Sequence, residues 1–171
     1  MIAPTRASPK SARTICSVVS LTLYLGYFAV ASAATFGAGA HVPLAALEAD
    51  VDLDIEDGEF ELLITFTLGK GNNGFDPSAE AVSLQLSGGT AAFSVSLPAG
   101  SFKKDRNGRF AFRGAIDRVR TLASIRPLRD DAFEFAIEGD GVNLKGIVNP
   151  VTVILTIGDD GGSRSVKAKI E

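Results

Sequence analysis

The chain has 171 residues, of which 46% are hydrophobic and 22% are charged, and its formal net charge is −3. That length suits one domain with a short additional segment, and the composition excludes an ordinary disordered chain. One Cys, one His and no Trp exclude an internal disulfide framework, a Cys-based zinc cluster and most catalytic arrangements that need an imidazole.

Residues 1–33 have the three parts of a secretory signal peptide. Residues 1–14 include three basic residues and no acidic one, and residues 15–34 carry no charge. Ala31-Ser32-Ala33 then forms a small-x-small cleavage site. The alternative is an uncleaved membrane anchor, because the uncharged run is just long enough to span a bilayer. Small residues in its last third favour cleavage, which is expected after Ala33, with Ala34 as the alternative position. The sequence therefore predicts a secreted or periplasmic protein that loses Cys16 and has no membrane association after cleavage.

All 20 acidic residues but only 14 of the 17 basic residues follow position 33, so the exported chain carries a net charge of −6. A negatively charged protein is a poor general binder of nucleic acid. The aromatic residues that could stack on bases also have the parity of core residues. No nucleic-acid partner is therefore expected.

Residues 34–49 show little alternation of apolar and polar side chains and predict a flexible lead-in, with at most one helical turn near Leu44–Leu47. Residues 50–171 alternate persistently with a period of two, which is typical of half-buried strands. The apolar positions of about nine runs lie in 51–55, 60–68, 82–86, 93–97, 110–112, 119–125, 133–137, 151–157 and 166–170.

One apolar and one polar face per strand indicates antiparallel sheets, because parallel strands are usually apolar on both faces. Asp57-Gly58, Asn107-Gly108 and Asp160-Gly161 are dipeptides that close hairpins, and Gly88-Gly89 and Asp117-Arg118 lie between runs in the same way. The sequence predicts an all-β, antiparallel two-sheet sandwich, immunoglobulin-like or related, over residues 50–171, with a barrel as the alternative.

The run from Glu48 to Glu61 contains eight carboxylates and no basic residue. A calcium site would use such oxygens, but Ile55 occupies the position where an EF-hand loop starting at Asp50 requires glycine. A solvated strand explains the run better, with the apolar side chains inward and the acids outward.

Two short loops rich in Asp and Gly, 138–141 and 158–162, are further candidate calcium sites through Asp140, Asp159 and Asp160. Hairpin turns have the same composition, and this interpretation is favoured. If both loops lie at the same end of the sandwich, the calcium hypothesis gains support.

Residues 103–129 contain nine basic residues against two acidic ones. Arg118, Arg120 and Arg126 share one parity, so they could form a stripe that binds a polyanion such as an acidic polysaccharide or a lipid headgroup. The alternative is that these arginines pair within the protein with the acidic run of residues 48–61 or are solvated.

Catalysis has little support. His41 lies in the lead-in without a clear partner, no G-x-S-x-G motif is present, and the abundance of carboxylates does not by itself indicate a glycosidase.

The stretch from Val142 to Gly162, with Leu97–Lys104 upstream, resembles modules of uncharacterised exported bacterial proteins over residues 60–171. The resemblance implies an exported β module in a bacterium and no activity. The residues thus favour an exported, non-catalytic β-sandwich protein that binds or acts structurally through its surface. No cofactor is expected, and a cell-surface polysaccharide or protein is the candidate partner. The alternative is a calcium-dependent adhesion or glycan-binding module.

Overall fold

Residues 42–171 are described by the computed structural model, and they contain strands and no helix. The signal peptide predicted for residues 1–33 and the start of the lead-in, 34–41, lie outside these residues. The twelve strands are β1 (Val42–Pro43), β2 (Ala45–Asp54), β3 (Glu59–Thr67), β4 (Val82–Gly88), β5 (Ala91–Leu97), β6 (Lys103–Lys104), β7 (Phe110–Ile116), β8 (Val119–Pro127), β9 (Ala132–Asp140), β10 (Val151–Ile157), β11 (Asp160–Val166) and β12 (Lys169–Ile170).

The strands form two sheets, which confirms the predicted all-β sandwich. The five-stranded sheet has the order β1-β11-β10-β4-β5, and the seven-stranded sheet has the order β12-β2-β3-β9-β8-β7-β6. All neighbours are antiparallel except two short pairs, β1 with β11 and β12 with β2. Nine of the twelve strands have seven or more residues, in agreement with the expected number.

Strand β3 shows how the alternating sequence builds the core. Phe60, Leu62, Ile64 and Phe66 are all buried, whereas the residues between them are exposed or half-buried. Successive side chains of a strand point to opposite faces, so one face of β3 packs in the interior and the other remains in contact with water.

The flexible lead-in predicted up to residue 49 is wrong for its described part, because residues 42–49 contribute to β1 and β2. Ala46 has a positive φ of 47°, and the pairing of β2 with β3 shifts register between Ala45 and Glu48. Such a bulge switches the parity of the buried residues, so that both Leu44 and Leu47 point inward. Because the parity changes at the bulge, this part of the chain does not show the strict alternation that marks a strand.

The prediction of one strand over residues 166–170 is also wrong, because Val166 ends β11 and Ile170 ends a separate strand, β12. Asp160 lies opposite Ile157, so the two-residue turn is Gly158-Asp159, and Asp160 opens β11. Strand β11 is rich in Gly and Ser and therefore lacks the apolar alternation that marks the other strands. Ile170 belongs to β12 in the other sheet.

Loops close the two ends of the sandwich. Leu144 and Ile147 are buried although they lie in the loop between β9 and β10. At the other end, the loop between β3 and β4 places the Phe75 ring 4.4 Å from that of Phe133 and 6.3 Å from that of Phe110, measured between ring centroids.

No described residue belongs to a helix that is long and apolar enough to cross a membrane.

Candidate functional site

The outer face of the seven-stranded sheet, which points away from the five-stranded sheet, carries two neighbouring rows of carboxylates. In the first row Asp52 of β2 lies opposite Glu61 of β3, which lies opposite Glu138 of β9. The second row has the same order of strands and contains Asp54, Glu59 and Asp140. These six side chains are called the carboxylate rows below.

Each row has a cation at one of its ends. Lys169 Nζ is 2.9 Å from Asp52 Oδ2 and 3.0 Å from Glu171 Oε1, and these two hydrogen bonds raise the pKa of the lysine. Arg120 Nη1 is 3.2 Å from Asp140 Oδ2 at the end of the second row. Each row therefore has a cation at one end only, beside Asp52 in the first row and beside Asp140 in the second.

Asp54 accepts hydrogen bonds from the backbone N–H groups of Glu56 and Asp57. Among the described residues, no ion pair or side-chain hydrogen bond involves the carboxylates of Glu59, Glu61 and Glu138. Like charges that lie directly opposite each other destabilise a sheet by an amount on the order of 0.2–1 kcal/mol per pair. The folded protein thus keeps like charges next to one another at solvent-exposed positions, where neutral polar side chains would avoid the repulsion.

The face is concave at this point. A depression of about 710 Å³ lies over the carboxylate rows and includes Arg113 and Arg120 in its wall. A second depression of about 810 Å³ adjoins it and shares Glu61, Arg113, Leu122 and Glu138.

The second depression extends toward Lys103 and Arg109, so charge along the face changes from acidic over β2, β3 and β9 to basic over β6 and β7. Leu63 is 42% exposed and lies on β3, two residues beyond Glu61 and opposite Asp50 of β2. An exposed leucine beside these carboxylates gives this face both an apolar and an electrostatic means of binding.

The three arginines of the predicted stripe are not equivalent. Arg120 and Arg126 lie on the outer face of β8, as their parity predicts, whereas Arg118 lies in the β7–β8 turn with a φ of 73°. Arg126 forms two hydrogen bonds with Glu134 of β9, at 2.6 and 2.8 Å, which lower the pKa of that carboxyl group.

Two of the three guanidinium groups that the polyanion hypothesis requires are therefore held by carboxylates of β9. The alternative interpretation, pairing within the protein, holds for Arg120 and Arg126. The acidic partners differ from the expected run of residues 48–61, because β9 lies between β8 and β3 in the sheet. Polyanion binding by this stripe stays a prediction.

The two loops rich in Asp and Gly lie at opposite ends of the sandwich. Asp140 is opposite Glu59, where β3 begins. Asp160 accepts a hydrogen bond from Asn72, which follows the other end of β3. The two described loops therefore do not lie at the same end of the sandwich, which is the arrangement that would have supported a shared calcium site. Within residues 42–171, no three His, Cys, Asp or Glu side chains are grouped so that they could hold a metal ion.

Asp160 has an unusual environment for a carboxylate. Its side chain is 0% exposed, Oδ2 accepts a hydrogen bond from Asn72 Nδ2, and Oδ1 has no hydrogen-bond partner. Burial raises its pKa, the Asn72 hydrogen bond opposes the shift, and the neighbouring charge of Asp159 adds to it. Asp159 itself accepts from Asn73 Nδ2 at 3.1 and 3.2 Å.

Comparisons with protein-family models, with curated proteins and with solved structures found no match to this chain. The resemblance to exported bacterial modules accordingly stays a prediction, and the site is interpreted from its geometry alone.

Sequence reasoning identified the outward carboxylates of β2 and β3 but not their neighbours on β9. The parity of Glu138 and Asp140 relative to Phe135 and Ile137 already indicates that they point outward. The alternating pattern does not show that β9 pairs with β3, which brings Glu138 beside Glu61 and Asp140 beside Glu59 although the members of each pair are more than 70 positions apart.

Proposed function

We propose that this protein is an exported, non-catalytic β-sandwich module of the immunoglobulin-like or a related type, which binds a cationic protein segment on the outer face of its seven-stranded sheet. The observation that carries the proposal is the pair of carboxylate rows, in which Glu59, Glu61 and Glu138 have no cationic partner among the described residues. A partner that contributes lysine or arginine side chains would supply the missing charges.

Three properties of the face support a macromolecular ligand. The two adjoining depressions form a continuous concave surface across the sheet. Leu63 offers apolar contact next to the charges. The segregated charge would orient an approaching cationic segment and increase its rate of association, especially at low ionic strength.

The test is a double substitution, Glu61→Gln with Glu138→Gln, examined by calorimetric titration with a lysine-rich peptide that contains leucine. We expect Kd to rise by about tenfold or more, because the two unpaired charges of the first row are lost. We also expect the double variant to be more stable than the parent by about 0.4–2 kcal/mol, because two direct oppositions of like charge are relieved. This gain should shrink at high salt, where exposed charges are screened.

The matched control is Asp130→Asn with Asp131→Asn, which changes the net charge equally in the β8–β9 turn. Both positions have positive φ, 58° and 56°, which asparagine tolerates. If the control weakens peptide binding as much as the double variant does, then only net charge matters and the proposed site is wrong.

Export is tested by the intact mass of the protein recovered from its native host. The proposal requires loss of residues 1–33, and a recovered protein that retains them contradicts it. The supporting features are the basic start, the uncharged run and the small-x-small site of the sequence.

A calcium-dependent adhesion or glycan-binding module is the second candidate, and the orphaned Oδ1 of Asp160 beside Asp159 favours it. Calcium prefers several oxygen ligands, and carboxylate and amide oxygens of Asp159, Asp160, Asn72 and Asn73 lie in this region. In this case calcium should raise Tm by several degrees, EDTA should reverse the rise, and Asp160→Asn should abolish it. An identical Tm with calcium and with EDTA would remove this candidate.

A further inference from the structure

The two sheets have four edges among the described residues. At three of them a two-residue strand covers only part of the next strand, so most of β2, β7 and β11 is also open there. These open stretches carry charged residues, namely Asp50, Arg113 and Arg164.

The edge strands β6 and β12 contain two residues each and carry Lys103, Lys104 and Lys169. The edge strand β1 also has two residues and ends at Pro43. Short length, lysine and proline are the features that keep sheet edges from pairing with other chains.

Strand β5 is the fourth edge and has none of these features. Its seven residues include no charged side chain and no proline, and the chain carries no charge anywhere from Ala81 to Phe102. β5 pairs with β4 along its whole length and with no other described strand. Because the backbone groups of a strand alternate in direction, about half of the N–H and C=O groups of β5 point away from β4.

The side chains of this edge leave the apolar core incompletely covered. Val95 and Leu97 are buried, but Phe93 is only partly buried, although its ring packs on Phe60 with 5.1 Å between the centroids. The opposite face of the strand carries small side chains, with Ala92, Ser94 and Ser96 exposed. An added strand would satisfy the open backbone groups and cover Phe93.

We propose that β5 pairs with β5 of a second copy of this chain, antiparallel and about a two-fold axis at Ser94. In this register Ser94 lies opposite itself, Phe93 lies opposite Val95 of the other copy, and Ala92 lies opposite Ser96. Inward apolar residues meet inward apolar residues, and small outward residues meet small outward residues. The two five-stranded sheets become one continuous sheet across the dimer.

Charge is the reason that a second copy fits this edge. The chain is net negative, so two copies repel each other over most orientations. The hairpin from Ala81 to Phe102 is uncharged, and contact there brings no like charges together. The interface uses the five-stranded sheet, so it is independent of the carboxylate rows and leaves them accessible on both copies.

The experiment measures the mass of the purified protein by light scattering after size-exclusion chromatography. We expect the parent to have twice the mass of the Ser94→Lys variant, because that substitution places two like charges opposite each other on the two-fold axis. Ser94→Glu should be monomeric for the same reason, and an equimolar mixture of the two variants should recover the dimer through opposite charges. Ser165→Lys is the control, since Ser165 is an exposed serine on β11 of the same sheet.

A parent that is monomeric at all accessible concentrations overturns the proposal. A monomeric parent is also the expected result if the β5 edge binds a different partner. A dimer that persists in Ser94→Lys, or that is lost equally in Ser165→Lys, places the interface elsewhere and also overturns it. Recovery of the dimer in the mixture shows that the individual variants are folded, so their dissociation cannot be attributed to unfolding.

Discussion

Phe66→Ala is expected to destabilise the protein by about 3–5 kcal/mol, a large part of the about 5–15 kcal/mol that stabilises a typical domain. Phe66 is 0% exposed and stacks on Phe133 with 5.7 Å between the ring centroids. It also contacts Phe75 edge-on, at 6.0 Å. Removal of the Phe66 ring takes away its contacts with both Phe75 and Phe133. It leaves a cavity between β3, β9 and the loop that follows β3.

Urea unfolding followed by circular dichroism measures this change. Thr65→Ala is the matched control, because the neighbouring side chain points to the outer face and is only half-buried. We expect the control to cost about 1 kcal/mol or less. Equal losses for the two variants would show that Phe66 is not part of a packed interior, and the assignment of faces on β3 would then be wrong.

Gly139→Ala is expected to cost about 1–3 kcal/mol, an effect much larger than is usual for the addition of one methyl group. Gly139 of β9 lies opposite Phe60 of β3, and the phenyl ring lies across the glycine. A Cβ atom at this position would be 2.3 Å from Phe60 Cε1 and 2.6 Å from Cζ. The ring has little freedom to move away, because it is 3% exposed and packs on Phe93.

This contact also affects the proposed binding face, because Gly139 lies between Glu138 and Asp140. A displaced β9 would separate these carboxylates from Glu61 and Glu59, so binding of the lysine-rich peptide should weaken together with stability. The same substitution in a Phe60→Leu background is the control, since the smaller side chain relieves the overlap. If Gly139→Ala costs as much in that background as in the parent, the clash with Phe60 is not its cause.

Eight of the nine longer strands, all except β11, could be predicted with their buried faces because each depends on local alternation. The parity of Phe60, Leu62, Ile64 and Phe66 fixes one face of β3 without knowledge of its neighbours. The Asp117-Arg118 turn is similarly local, since Ile116 lies opposite Val119 and both turn residues have positive φ.

The carboxylate rows could be predicted only in part. The acidic run supplies the four members on β2 and β3, and the hairpin between these strands places them together. Glu138 and Asp140 join them only because β9 pairs with β3 in one particular register, and a sequence pattern with a period of two does not specify which strands become neighbours. The Arg126–Glu134 ion pair escaped prediction for the same reason, although β8 and β9 are adjacent in sequence.

The buried loop residues were missed for a different physical reason. Leu144 and Ile147 cover one end of the sandwich from an irregular segment, where no periodicity distinguishes inward from outward positions. The bulge at Ala46 had a comparable effect on Leu44, because a single extra residue reversed the parity of the strand.

The two parallel strand pairs determine how the molecule would respond to tension. β1 lies beside β11 and β12 lies beside β2, so strands from the beginning and the end of the described chain run side by side in the same direction. A pulling force applied between Val42 and Glu171 would slide these neighbours past each other and load their hydrogen bonds together, instead of opening them one at a time. Mechanical extension would therefore meet its first resistance at these short parallel pairs.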